Sequence, residues 1–161
     1  MASPAKPVNA FIGLGSNLGD RAANIESAVA LLGATPGVAV VRVSRNLENP
    51  AVGGPPESPP FFNAVAQVQT TLGSHALLER LLEIERTLGR QRRAKWEPRL
   101  IDLDILLFGD QIISSHDLVI PHPLMHERRF VLEPLSDIAP DAVHPVLQMT
   151  AKGLLENLTT G

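Results

Sequence analysis

The sequence predicts an α+β fold: a βαββαβ core in which an antiparallel sheet carries helices on one face, followed by a C-terminal helical addition. Two observations predict it. The order of apolar segments is strand, helix, strand, strand, helix, strand, which does not alternate as a doubly wound parallel sheet would. The helical segments show apolar spacing of three and four, whereas the strand segments alternate or are β-branched. This arrangement is of the ferredoxin-like kind. A chain of 161 residues with 44% hydrophobic and 19% charged content suits one globular domain. We expect that domain over 9–160, with a loose segment at 1–8 that is small, polar and contains proline.

Each element has its own signal. Ala10 to Leu14 is a short apolar run and reads as the first strand. The turn from Gly15 to Asp20 follows. Gly13-Leu14-Gly15 starts like the dinucleotide fingerprint, but Leu18 stands where its third glycine belongs, so the fingerprint fails. Asp20 is the expected N-cap of a helix whose stripe is Ile25, Ala28, Val29 and Leu32 and which stops at Gly33. Val38 to Val43 is a β-branched strand. Asn46 to Pro60 holds five prolines and two glycines, and no regular element is expected there; a loop of this length points to binding.

Phe61 to Thr70 alternates, with Phe62, Ala64, Ala66 and Val68 on the core face and Phe61, Asn63, Val65, Gln67 and Gln69 on the other. Ser74 is the expected N-cap of a second helix with its stripe at Leu77, Leu78, Leu81, Leu82, Ile84 and Leu88, closed by Gly89. The next strand lies in Pro98 to Gly109, with a tight turn at Gly109-Asp110. Ile112-Ile113 and Leu118 to Ile120 are short strand candidates. Pro123 suits the first turn of a helix that Pro134 ends or kinks, and a last helix is expected over Leu147 to Leu158.

Composition narrows the function. A net charge of −3 argues against a nucleic-acid binder as a whole, and the absence of cysteine removes disulfides and thiolate metal sites. With no leader and no apolar run of membrane-spanning length, a cytoplasmic protein, monomeric and acting on small molecules, is expected.

Three stretches carry chemistry. Asp102 and Asp104 lie two apart on one strand and so share a face, while Ile101, Leu103, Ile105 and Leu107 fill the other. Like charges so close repel unless a cation sits between them. One reading is a Mg²⁺ site; the other is a half-exposed edge strand with two solvated acids. Upstream, Gly89 to Arg99 holds five of the fourteen Lys and Arg residues, namely Arg90, Arg92, Arg93, Lys95 and Arg99, and the only Trp, Trp96. Guanidinium forks match phosphate oxygens, and a block of cations running into two acids is what phosphoryl transfer requires. Downstream, His122 is held between Pro121 and Pro123, and Arg128 adds a cation. His122 and His126 are four apart but lack the metal-binding helix motif. His75, His116 and His144 read as surface or loop residues. Asn63 beside Phe61 offers an amide and a flat ring to a planar heterocycle, or is an ordinary solvent-side Asn.

Together, Gly15 to Arg21, Arg99-Leu100-Ile101-Asp102-Leu103-Asp104-Ile105, and Pro121-His122-Pro123 to Phe130 resemble the 6-hydroxymethyl-7,8-dihydropterin pyrophosphokinases of folate synthesis. The resemblance covers about Phe11 to Leu158. It implies Mg²⁺-dependent transfer of pyrophosphate from ATP, the co-substrate, to the pterin's hydroxymethyl oxygen, with release of AMP. It further implies that Asp102 and Asp104 hold two Mg²⁺ ions and that Arg90 and Arg99 join them in catalysis. ATP contacts are implied for Arg92, Lys95, Trp96, Arg99, Ile105, His122 and Arg128. Pterin contacts are implied for Asn49, Pro50, Val52, Phe61, Asn63, Trp96 and Phe130. Two rivals remain at this point. A ligand- or RNA-binding module would need exposed strand aromatics, and aromatics are only 4% here. A palm-type nucleotidyl transferase would release pyrophosphate in place of AMP.

Overall fold

The computed structural model describes residues 6–17, 19–49, 60–89 and 101–160. Nine strands and four helices follow one another among these residues. The main sheet is built from β1 (Val8–Ser16), β2 (Val38–Val43), β3 (Leu47–Asn49), β4 (Phe61–Thr70) and β5 (Asp102–Phe108). Its order is β2-β4-β1-β5, with β3 also paired to β4, and all its pairings are antiparallel. The expected βαββαβ core is present, with α1 (Arg21–Gly33) and α2 (Ser74–Leu88) as its helices. Among the described residues no helix is long and apolar enough to cross a membrane.

Helix α1 begins as the sequence predicts. The Asp20 carboxylate accepts the Ala23 backbone N–H at 3.0 Å, which satisfies one of the amides left over at a helix start. Helix α2 does not: Gly73 is its N-cap and Ser74 is already helical, without a side-chain cap. Ile25, Ala28 and Leu32 of α1 and Leu77, Leu81 and Ile84 of α2 pack against Ala10, Ile12, Leu14, Ala64, Ala66, Val68, Leu103 and Ile105. This is the main core.

The second face differs from the expectation of helices on one side. Helix α3 (Arg129–Ile138) and α4 (Ala151–Thr160) cover it with a second core. Leu132, Leu135, Ile138 and Leu154 close over Phe11, Val65, Leu106 and Leu107. The sheet is thus sandwiched, and Val65, on the face expected to be open, is 1% exposed. The cover is partial, and the uncovered end of this face becomes a cavity.

A bulge explains another departure. The register of β1 on β5 shifts between Phe11 and Ile12, which pair with Leu107 and Ile105. Leu106 is the extra residue, so Leu106 and Leu107 both enter the second core and Phe108 returns to the first. Strict alternation had put Leu107 beside Ile105.

Other boundaries also move. The first strand starts at Val8, inside the segment expected to be loose, and Leu47–Asn49 forms a strand within the proline-rich stretch. Strands β6 (Ile113–Ser114) and β7 (Val119–Ile120) pair as a small hairpin. No helix starts at Pro123; one 3₁₀ turn, Met125–Glu127, precedes α3. Pro134 sits inside α3, buried, where its missing N–H leaves the Phe130 carbonyl without its usual partner four residues on. The last helix starts at Ala151, after the β8 (Val143–His144) and β9 (Met149–Thr150) hairpin, not at Leu147.

Candidate active site

The sheet's second face holds the site because two strands meet there without side chains between them. Gly15 of β1 pairs with Asn63 on β4 and with Asp102 on β5; Gly13 pairs with Val65 and Asp104. Across neighbouring strands this sets Asn63 and Asp102 two strand spacings apart, about 10 Å. The glycine row between them forms the floor of a cavity of about 560 Å³.

The walls come from four elements. Phe61 and Asn63 stand on β4, Asp102 and Asp104 on β5, and His122 on the segment after β7. Arg128, Arg129, Phe130 and Val131 stand at the start of α3. Asp102 and Asp104 do share one face, with Asp102 half-buried and Asp104 exposed, while Leu103 between them is buried on the opposite side. The guanidinium of Arg128 lies 5.6 Å from the Phe130 ring centre, so the cation and the ring enter as one unit.

His122 is fixed by its backbone. Its N–H donates to the Leu106 carbonyl at 3.0 Å, which ties the segment to the outer edge of β5. Its Nδ1 accepts the Leu124 N–H at 3.2 Å, which assigns the ring proton to Nε2. Burial pushes its pKa below the usual histidine range; Asp104 opposes this and Arg128 adds to it.

The acids are held from the other side of the sheet. Glu85 of α2 accepts the Leu103 N–H at 2.8 Å. At the far end, Arg21 gathers the strands that flank the proline-rich loop. It donates to the Pro60 carbonyl at 2.7 Å, lies 4.0 Å from the Phe62 ring centre and pairs with Glu48 at 3.3 Å.

Of the residues singled out in the sequence, Phe61, Asn63, Asp102, Asp104, His122, Arg128 and Phe130 come together around the cavity. Ile105 does not bring its side chain there; it is 4% exposed and faces the main core. Asn49 ends β3, opposite Phe61. Pro50, Val52, Arg90, Arg92, Arg93, Lys95, Trp96 and Arg99 lie outside the described residues. Gly13, Gly15, Leu106, Glu127 and Arg129 line the cavity without having been expected. Leu106 shares the phase of the two acids, and alternation alone identifies it; the glycines needed the register. Arg129 is paired with Glu133 one helical turn on.

The donor set fits a hard divalent cation that keeps much of its water. Asp102 and Asp104 face the cavity from one strand, with Glu127 on another wall, and among the described residues no group of three or more His, Asp or Glu is placed to hold an ion. Mg²⁺ is commonly held by one or two carboxylates together with water and substrate phosphates.

Residues 11–140 match the family model of the 7,8-dihydro-6-hydroxymethylpterin-pyrophosphokinases. The chain belongs to this family. Among the curated pyrophosphokinases of that family, one from Methylorubrum extorquens is 46% identical over 83% of this chain and 84% of its own length. Another, from Bacillus subtilis, is 45% identical over 80% of this chain and 77% of its own. The fold is also that of a crystallised Plasmodium falciparum HPPK-DHPS with pterin and p-hydroxybenzoate, with a TM-score of 0.73 at 17% identity. That match covers 99% of this chain and 44% of the longer one. The overall fold of this chain thus agrees with that of the longer protein.

Proposed function

We propose that this chain transfers the β,γ-pyrophosphoryl group of ATP to the hydroxymethyl oxygen of 6-hydroxymethyl-7,8-dihydropterin, with Mg²⁺, and acts as one unit over 9–160. The observation that carries this is the common cavity: Asp102, Asp104, Asn63, Phe61, Phe130 and Arg128 open into the same space. Family membership supports the same reaction.

The chain's residues divide the work by chemistry. Phe61 and Phe130 present flat apolar faces to a heteroaromatic ring, and the Asn63 amide supplies both a donor and an acceptor to its edge. Arg128 brings positive charge to the triphosphate, and His122 offers its Nε2–H as a neutral donor. In this reading Asp102 and Asp104 would hold two Mg²⁺ ions, which would supply positive charge to the triphosphate and lower the pKa of the attacking hydroxyl. The hydroxymethyl oxygen attacks the β-phosphorus, the bond from that phosphorus to the α-phosphate oxygen breaks, AMP leaves, and the hydroxyl proton passes to solvent. The floor of Gly13 and Gly15 leaves open space above the sheet between Asn63 and the two acids.

The test is product identity. Protein, Mg²⁺, ATP and the hydroxymethyl pterin are mixed and the nucleotide product is separated. AMP in equal amount to the pterin diphosphate is expected. Pyrophosphate release in its place points to a nucleotidyl transferase, and no pterin-dependent AMP from folded protein sinks the proposal.

A further inference from the structure

Gly15 differs from the other residues of the cavity floor in what surrounds it. Its backbone is not in the left-handed region, so conformational freedom does not require glycine there. Space does. A Cβ added to Gly15 would stand 3.0 Å from Asn63 Nδ2 and 3.7 Å from the Phe61 ring. At Gly13, by contrast, the added Cβ meets only Leu106, at 3.4 Å from a methyl group. The amide of Asn63 therefore lies directly over the gap left at Gly15, next to its own register partner.

We propose that Gly15 is a positioning residue for pterin selection: by lacking a side chain it lets the Asn63 amide lie down on β1, at the height where a flat ring can meet it edge-on beside Phe61. It acts through Asn63 and not by touching the substrate. A methyl group at Gly15 lifts or turns the amide by a few tenths of an ångström or more. The hydrogen bonds to a rigid heterocycle then lose length and angle together. The backbone of β1 and the two cores have no need to move, because the group that gives way is the end of one polar side chain. This inference rests on the pterin reading given above.

Gly15→Ala separates the possibilities. The expected result is a rise of about tenfold or more in KM for the pterin, the loss of about one hydrogen bond. KM for ATP and the melting temperature stay near wild type. Calorimetric titration of the pterin, with a non-hydrolysable ATP analogue present, should weaken by the same factor. A double-mutant cycle gives the second arm: in an Asn63→Ala background, adding Gly15→Ala should cost little further pterin affinity. Unchanged pterin affinity in Gly15→Ala, or equal losses for ATP and pterin, overturns the inference, as does a full additive loss in the double variant. If Gly15→Ala does not fold while the double variant does, the Asn63 contact is upheld; if neither folds, the inference falls. Wild-type protein in the same assays keeps the two claims apart, since absence of wild-type turnover refutes the reaction and not the Gly15 contact.

Discussion

Glu85, in the last turn of α2, accepts the backbone N–H of Leu103 at 2.8 Å, and Leu103 is the residue between the two acids. β5 is an edge strand of the main sheet, so this N–H points away from β1 and has no ladder partner. Further along the same edge, the His122 N–H donates to the Leu106 carbonyl. These two bonds bracket Asp104. A helix on the opposite face of the sheet therefore helps set where the carboxylates stand, although no described α2 residue lines the cavity.

Glu85→Gln retains an acceptor and Glu85→Ala removes it. The alanine variant leaves a partly buried N–H unpaired and should lose about 1–3 kcal/mol of stability in urea unfolding. It should also need more Mg²⁺ for half-maximal turnover. The glutamine variant should stay close to wild type in both. An equal loss in the glutamine variant would assign the effect to the charge of Glu85 and not to the bond.

Under the proposed reaction, Asp102→Asn and Asp104→Asn each lower turnover by about a hundredfold or more, because oriented charge on the transferring group is lost. Asp104 is exposed, so its variant should unfold within about 0.5 kcal/mol of wild type. Chelation of divalent ions should stop wild-type turnover, and added Mg²⁺ should restore it. Turnover that survives both chelation and the substitutions would remove the metal assignment.

Arg21 makes three contacts at once, to Pro60, Phe62 and Glu48. Arg21→Ala should lower stability by about 1–2 kcal/mol, a range discounted for the partial exposure of Glu48. Because β3 and β4 flank the proline-rich stretch, KM for the pterin should rise more than KM for ATP. Arg21→Lys should not rescue it, since an ammonium cannot stack on Phe62 and reach two oxygens in a fixed fork. Steady-state kinetics with each substrate varied in turn checks this.

His144 predicts a pH dependence of stability. It is buried, and its Nδ1 accepts the N–H groups of Val146 and Leu147 at 3.3 and 3.1 Å. Burial holds its pKa below the usual histidine range, with the neighbouring His126 adding to the effect. The unfolded chain then binds a proton before the folded one does. This contribution is therefore complete above about pH 6.5, the ordinary histidine value, and is lost as pH falls from there through the lowered folded pKa. Melting curves between pH 7 and pH 5 should fall more steeply for wild type than for His144→Ala, which starts lower. Parallel curves would show that this histidine does not titrate with unfolding.

Much of the fold was legible in local pattern. The spans of β2 and β4, the Asp20 cap and the end of α1 at Gly33 match the sequence reading, because each depends on propensity or capping within a few residues. The errors share a cause. Ser74 as a cap and helices starting at Pro123 and Leu147 were judged from local preference, and packing overrode it. Pro134 is tolerated inside α3 because that helix is held on the sheet by Leu132, Leu135 and Ile138. His144 read as a surface or loop residue and is buried: its ring takes up the Val146 and Leu147 N–H groups of its own hairpin, and the sequence-distant His126 stands edge-on to it.

The sequence by itself determined the two acids on one strand face, the amide and ring on another strand, and the stiff histidine and cation further on. Side-chain phase and residue chemistry are local, and they also carried the family resemblance. Only the tertiary structure decided that these segments share a cavity. That depends on β1 lying between β4 and β5, on the register that sets Gly15 against both Asn63 and Asp102, and on the bulge at Leu106. Strand pairing is long-range, and a shift of one residue would move every side chain of a strand to the opposite face. The same holds for the second core: α3 and α4 cover one end of a face that alternation left open, and the end they leave uncovered is the site.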